Sequence, residues 1–214
     1  MRKPTGILGG TFDPIHFGHL RMAQELSDAL NLSEVRFIPA GYPPHRNQPA
    51  TSAAHRATMV SLAIADNTTF SLDDRELKRS GSSYTIDTLQ SLRDELGQDA
   101  AICLLLGSDA FVRFNTWHRW DEILDICHIA LVERPATKPK EALPQVLQTL
   151  LHDHYTENTA DLASSSAGFI IMQKITALDI SATRIRESLQ HNLSPRYLMP
   201  DSVINYIRVQ LLYR

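Results

Sequence analysis

The stretch Gly9-Gly10-Thr11-Phe12-Asp13-Pro14-Ile15-His16-Phe17-Gly18-His19 decides how the rest of the chain is read. Ahead of it, Thr5-Gly6-Ile7-Leu8 is a short apolar run of the kind that forms a buried strand. Behind it, Leu20, Ala23, Leu26 and Leu30 recur at helical spacing and define the apolar face of a helix. The quoted stretch is therefore a strand-to-helix junction. Its two leading glycines lack a Cβ, which predicts a sharp backbone turn there and close approach to a ligand. His16 and His19 fall at the helix entrance, where unpaired backbone N–H groups and the helix dipole favour anions. No Glu lies in the stretch to complement that dipole, and two imidazoles are offered instead. Such a junction suits phosphate. It is neither a G-x-x-x-x-G-K-[ST] loop nor a G-x-G-x-x-G dinucleotide turn, since the spacing fits neither.

Composition narrows the partners. The 214 residues suffice for one substantial domain and a small subdomain but not comfortably for two domains, so a single domain over 1–214 is expected. A net charge of −3 supplies no general attraction for nucleic acid or membrane, so anionic ligands must be held by local groups. No run approaches a membrane span. Met1-Arg2-Lys3-Pro4 leads directly into the first strand without the apolar core of a signal peptide, and a cytoplasmic protein is expected. Cys103 and Cys127, both in apolar surroundings, read as reduced buried thiols.

Along the chain, strands and helices alternate. Val35 to Pro39 is a second strand, followed by a loop containing Pro43-Pro44-His45-Arg46. Two prolines pre-order that loop, and His45 with Arg46 reads equally as a chance surface pair or as a grip on an anion. Ala53 to Ala65 is an amphipathic helix with Ala57, Val60 and Ile64 inward and His55 and Arg56 solvated. Thr69 to Leu72 is a strand that ends in the charged run Asp73-Asp74-Arg75-Glu76, a solvated or ion-paired loop. Ser83 is placed to cap a helix burying Ile86, Leu89, Leu92 and Leu96. Ala101 to Leu106 is a central parallel strand, and Gly107-Ser108-Asp109 at its carboxyl end opens the next helix. Asp109 reads there either as a first-turn carboxylate or as a ligand contact. Thr116 is read as a cap with Trp117 at a helix entrance, and Trp120 as core. His128 to Val132 and Phe169 to Met172 are further strands. Between them, Glu141 to Leu151 is a helix, His152 and His154 are solvated, and Ser164 to Ser166 is a loose loop. In Ile180-Ser181-Ala182-Thr183-Arg184-Ile185-Arg186, Ser181 is a good N-cap, yet two arginines crowd a first turn whose dipole disfavours them. An anion would relieve that conflict. Pro200 to Leu212 closes the chain as a helix with Val203, Ile204, Ile207 and Leu211 inward.

The long junction motif resembles the T/H-x-G-H signature of the nucleotidyltransferase superfamily, in the form found in the bacterial nicotinate mononucleotide adenylyltransferase family. The resemblance extends over essentially the whole chain, because Ile180 to Arg186 is similar to that family's I-S-S/A-T-x-I-R element. The alternation of strands and helices argues for a doubly wound parallel sheet with helices on both faces, and the resemblance implies a Rossmann-like fold with a small C-terminal helical portion at about 180–214. It also implies an enzyme that transfers adenylyl from ATP to nicotinate mononucleotide, with Mg²⁺ carried by the ATP phosphates and no metal held by the protein itself. The implied catalytic residues are His16 and His19. ATP contacts fall on Gly9, Gly10, Thr11, Phe12, Gly18, Gly107, Asp109 and Arg134, and on Ile180, Ser181, Thr183, Arg184 and Arg186. Nicotinate mononucleotide contacts fall on His45, Arg46, Tyr84, Thr85 and Trp117. Ala182 departs from the Ser of many relatives and removes one donor.

Two alternatives share the junction. A pantetheine-phosphate adenylyltransferase usually has Thr where His16 stands, and a shorter chain. A non-catalytic nucleotide sensor would bind ATP without releasing pyrophosphate.

Overall fold

The computed structural model describes residues 2–43, 49–133, 143–176 and 178–214. In chain order the elements are β1 (Thr5–Gly10), α1 (Phe17–Ala29), β2 (Glu34–Pro39), α2 (Ala53–Ile64), β3 (Phe70–Leu72), α3 (Arg75–Lys78) and α4 (Thr85–Leu96). There follow β4 (Ile102–Gly107), α5 (Ser108–Phe111), two 3₁₀ turns (Phe114–Thr116 and Trp120–Glu122), α6 (Ile123–Ile126) and β5 (His128–Glu133). The last are α7 (Gln145–His154), β6 (Tyr155–Thr156), α8 (Asp161–Ser164), β7 (Ile170–Lys174), α9 (Ala182–Gln190) and α10 (Asp201–Val209).

Seven strands form one sheet in the order β3-β2-β1-β4-β5-β7-β6. The pairs β1–β4, β4–β5, β5–β7 and β6–β7 run parallel, with Gly6 opposite Cys103 and Leu104 opposite Ile129. This is a Rossmann-like α/β fold. The chain winds outward from β1 to β3, then returns to β4 beside β1, and ligands of such sheets bind beyond the carboxyl ends of strands where the order reverses. No helix among the described residues is long and apolar enough to cross a membrane.

By contacts the chain divides into two compact units. The first comprises Met1–Leu8, Ala23–Val35 and Tyr84–Ala177. Its core is built on β4, β5 and β7, where Ile102, Cys103, Ile129, Ala130 and Ile170 are fully buried, as a strand covered on both faces requires. Ile86, Leu89 and Leu92 of α4 pack into the same core, and both cysteines are buried thiols. At the end of α4, Arg93 is buried and donates to the carbonyls of Gly97, Gln98, Ala100, Ile126 and Ser166. The serine run is thus pinned at Ser166. His154 is also tied, its Nδ1 lying 2.8 Å from the Gly168 carbonyl. The polar stretch after α7 holds β6 and α8, two elements too short for periodicity to reveal.

The second unit comprises Gly9–Met22, Arg36–Ser83 and Leu178–Arg214. Phe12, Phe37, Met59, Val60, Val203 and Ile204 are among its buried residues. The Phe37 ring lies 6.0 Å from Phe12 and 5.2 Å from Phe70. The charged run after β3 is ion-paired, Asp73 taking Arg75 at 2.7 Å and Arg36 at 3.8 Å, and it opens the short helix α3.

Several local expectations are corrected. Arg56 is not solvated but 1% exposed, and His55 Nδ1 lies 2.8 Å from the Tyr206 hydroxyl. Ser83 does not cap α4, because its Oγ accepts from the Gly41 and Tyr42 N–H groups and Tyr84 takes the N-cap position. Trp117 does not open a helix; it follows a 3₁₀ turn in extended conformation, its N–H donating to the Phe114 carbonyl. Leu211 is 58% exposed in a left-handed conformation, while Tyr213 takes the buried place.

Candidate active site

In the second unit, β1 continues through Gly9 and Gly10, so the glycines end the strand and do not make the turn. The turn comes at Phe12, which adopts the left-handed φ of 50°, followed by a cis Asp13–Pro14 peptide. A Cβ built on Gly9 would meet nothing within 4 Å, so the backbone there faces open space. His16 caps α1: its carbonyl accepts from the His19 and Leu20 N–H groups at 2.9 and 3.3 Å. Its own N–H donates to His19 Nδ1 at 3.3 Å. His19 thus fills the role that a Glu at the third helical position fills in a capping box. Because Nδ1 accepts, neutral His19 carries its proton on Nε2, a donor on the opposite side of the ring. The two imidazoles stack with centroids 3.8 Å apart, and the Phe12 ring meets His19 edge-on at 5.1 Å. His16 is 5% exposed. A Cβ on Gly18 would lie 3.0 Å from the His16 ring and 3.7 Å from the Ile180 carbonyl, so the second motif packs directly against the first.

That second motif behaves as its sequence suggests at Ser181, whose Oγ accepts from the Arg184 N–H and caps α9. Its arginines part company. Arg186 Nη1 donates to the Asp13 carbonyl at 2.8 Å and Nη2 to Thr183 Oγ1 at 3.3 Å, which draws Thr183 and Arg186 to the Thr11–His16 turn. Arg184 instead pairs with Asp179 at 3.1 Å, both largely exposed. The structure therefore gathers Gly10, Thr11, Phe12, His16, Gly18, His19, Ile180, Thr183 and Arg186, and leaves Arg184 outside that group.

In the first unit, Gly107 ends β4 and Asp109 stands exposed in the first turn of α5; a Cβ on Gly107 would collide with Asp109 Oδ1. Tyr84 holds the N-cap position of α4, and its own side chain makes no capping hydrogen bond. Its ring lies 4.4 Å from that of His118. Arg119, left-handed with φ 50°, donates to Glu122 and approaches Asp87 of α4 at 4.0 Å. Pairing with Glu122 pulls the carboxyl of that residue below the usual carboxylate range. The segment carrying half-buried Trp117 is thereby tied to the start of α4, near Thr85. Trp117 itself lies 5.4 Å from the Phe114 ring. His45, Arg46 and Arg134 fall outside the described residues.

The cytidylyltransferase-like family model matches residues 7–188, a span containing both motifs. A protein of Dechloromonas aromatica, named a probable nicotinate-nucleotide adenylyltransferase, is 47% identical over 215 residues, covering 100% of this chain and 99% of its own. A protein of Aeromonas hydrophila with the same name is 47% identical over 214 residues, again covering 100% and 99%. The chain belongs to the nicotinate-nucleotide adenylyltransferase family. Its fold is also that of Plasmodium falciparum nicotinic acid mononucleotide adenylyltransferase complexed with NaAD, with TM-score 0.73 and 20% identity over 99% of this chain and 98% of that one.

In this member of the family, two supports of the nucleotidyltransferase motif escaped the sequence reading. Arg56 donates to the carbonyls of Thr11 (2.7 Å), Ala40 (2.6 Å) and Gly41 (3.3 Å), and burial lowers its pKa. The signal was available: Arg56 stands four and eight residues before Val60 and Ile64, on the inward stripe. Asp13, 5% exposed, accepts from the Ala50 N–H, Thr51 Oγ1 and the Tyr213 hydroxyl. Nothing local to Tyr213 announces that contact, which spans 200 residues.

Proposed function

We propose that the chain transfers adenylyl from MgATP to nicotinate mononucleotide, giving nicotinate adenine dinucleotide and pyrophosphate. The observation that carries this reading is the Arg186–Asp13 hydrogen bond, which joins motifs 173 residues apart beside the stacked His16–His19 pair. A phosphate oxygen of the mononucleotide attacks the α-phosphorus of ATP and forms the new P–O bond. The bond from that phosphorus to the oxygen bridging toward the β-phosphate breaks, and pyrophosphate departs with the electron pair. No covalent enzyme intermediate is required. The protein's work is alignment and charge stabilisation.

In this reading His19 Nε2–H and the His16 imidazole face the transferring phosphoryl group. Gly9, Gly10, Thr11, Phe12 and Gly18 supply close backbone approach, and Ile180, Ser181, Thr183 and Arg186 hold the leaving pyrophosphate. Gly107, Asp109 and Arg134 serve the nucleoside. Tyr84, Thr85 and Trp117 receive the pyridine ring, with His45 and Arg46 on its phosphate. Mg²⁺ enters on the nucleotide and neutralises the β- and γ-phosphates. Support for a carboxylate-selective pyridine site comes from the α4 start, a helix N-terminus whose N-cap residue Tyr84 makes no side-chain capping bond.

The test is pyrophosphate release from MgATP with nicotinate mononucleotide, nicotinamide mononucleotide or phosphopantetheine, supplied separately. Strong preference for the nicotinate substrate is expected. Preference for phosphopantetheine, or ATP binding with no turnover on any acceptor, would overturn the proposal.

A further inference from the structure

The Thr11–His16 turn needs outside support, because Phe12 occupies a left-handed conformation that a residue with a Cβ avoids. Three supports reach it within the second unit. Arg56 holds the Thr11 carbonyl, and Arg186 holds the Asp13 carbonyl. The third acts on the Asp13 side chain, a buried carboxylate satisfied by uncharged donors. Its Oδ2 takes the Ala50 N–H at 2.7 Å, and its Oδ1 takes Thr51 Oγ1 at 2.9 Å and the Tyr213 hydroxyl at 2.6 Å. The Tyr213 bond is the shortest of the three. Its ring is 7% exposed, so the phenol is held by packing as well as by the bond.

We infer that Tyr213 is a positioning residue: through Asp13 it holds the Thr11–His16 turn, and so sets where His16 and His19 stand. The inference rests on the proposed adenylyl transfer, in which those imidazoles face the reacting phosphorus. Burial, then the bond to Asp13, drives the Tyr213 phenol far above its usual pKa, so it remains a donor throughout the working range. Asp13 cannot exchange it for water without opening the buried turn. A sub-ångström relaxation of the turn leaves ATP bound by its other contacts but spoils the alignment on which phosphoryl transfer depends.

The test compares wild type, Tyr213→Phe, Asp13→Asn and the double variant. Tyr213→Phe keeps the ring and removes one O–H. A fall in kcat of about tenfold is expected, with KM for ATP changed less than about threefold. Amide exchange in residues 11–16 should quicken about fivefold or more, alongside a lowered melting temperature from the lost donor. In the Asp13→Asn background the same substitution should cost less than about twofold, since the tyrosine acts through the carboxylate. If Tyr213→Phe does not fold, Thr51→Val removes the other hydroxyl from Oδ1 and is read the same way. Additive losses, or a lowered melting temperature with normal kcat and normal exchange, would overturn the inference. If the wild-type protein releases no pyrophosphate, the proposed reaction fails instead, and unchanged exchange at residues 11–16 in Tyr213→Phe then overturns the tether on its own.

Discussion

At the start of α1, the position from which a Glu commonly reaches back to the N-cap amide is held by His19. Under the proposed adenylyl transfer the exchange has a chemical reason. A carboxylate there would cap the helix but repel phosphate, whereas imidazole caps with one nitrogen and offers an N–H with the other. Replacing His19 by Ala should therefore cost about 3 kcal/mol of transition-state stabilisation, roughly a hundredfold in kcat, with the fold retained. Steady-state kinetics beside circular dichroism checks this, and near-normal turnover in the folded variant would remove His19 from the proposed role. The two arginines of α9 allow a sharper comparison. Arg186→Ala should lower kcat/KM about a hundredfold or more, since it severs both the Asp13 and Thr183 contacts. Arg184→Ala gives up a surface pair with Asp179, worth about 1 kcal/mol at most, and should change activity only a few-fold.

Among the elements, α4 shows what holds the first unit together. Its inward residues were legible, because Ile86, Leu89 and Leu92 repeat at helical spacing and all are fully buried. Arg93 follows them directly and spends its donors on five carbonyls from three separate segments. Arg93→Met takes the side-chain donor from all five carbonyls, of which Gly97 keeps the Ala100 N–H and Ser166 the Ile102 N–H, and about 3 kcal/mol of stability should be lost. Chemical denaturation measures it; a loss under 1 kcal/mol would show that the carbonyls find other donors. Short or irregular elements were harder to read. Thr116 reads as a cap that would put Trp117 at a helix start, yet its hydroxyl bonds back to the Arg113 carbonyl and closes a 3₁₀ turn. Ser83 has the right place for an N-cap, but the chain spends its oxygen on Gly41 and Tyr42. At Ser83 a local signal was real and a non-local partner took it; at Thr116 a partner three residues back closed a different turn. The motifs at 9–19 and 180–186 were legible for the opposite reason, since their chemistry is written in contiguous residues. Arg56 and Tyr213, which hold the first of them from afar, were not.

For the molecule as a whole, the buried imidazole of His128 predicts how stability depends on pH. Its Nδ1 accepts from the Phe169 N–H, so the neutral ring carries its proton on Nε2, toward the Ser165 carbonyl. Burial lowers its pKa, the nearby Arg93 charge lowers it further, and the Ser165 carbonyl opposes them. The sign follows. Below about pH 6.5 the unfolded chain takes up a proton that the folded chain refuses, so stability is complete above that pH and falls as the solution is acidified. The drop in melting temperature between pH 7.5 and 5.5 should shrink in His128→Gln, which has no charge to gain. An equal drop in both proteins would assign the acid sensitivity to other groups.

The hydrogen bond from Arg186 to the Asp13 carbonyl also has a meaning in time. On the ribosome, β1 and the turn after it are made first. At about 5–20 residues per second, some 10–40 seconds pass before Arg186 and then Tyr213 are synthesised. Throughout that interval the nascent chain carries both histidines without the distant side chains that fix the turn. The turn can therefore reach its final form only once residues 186–213 have been made.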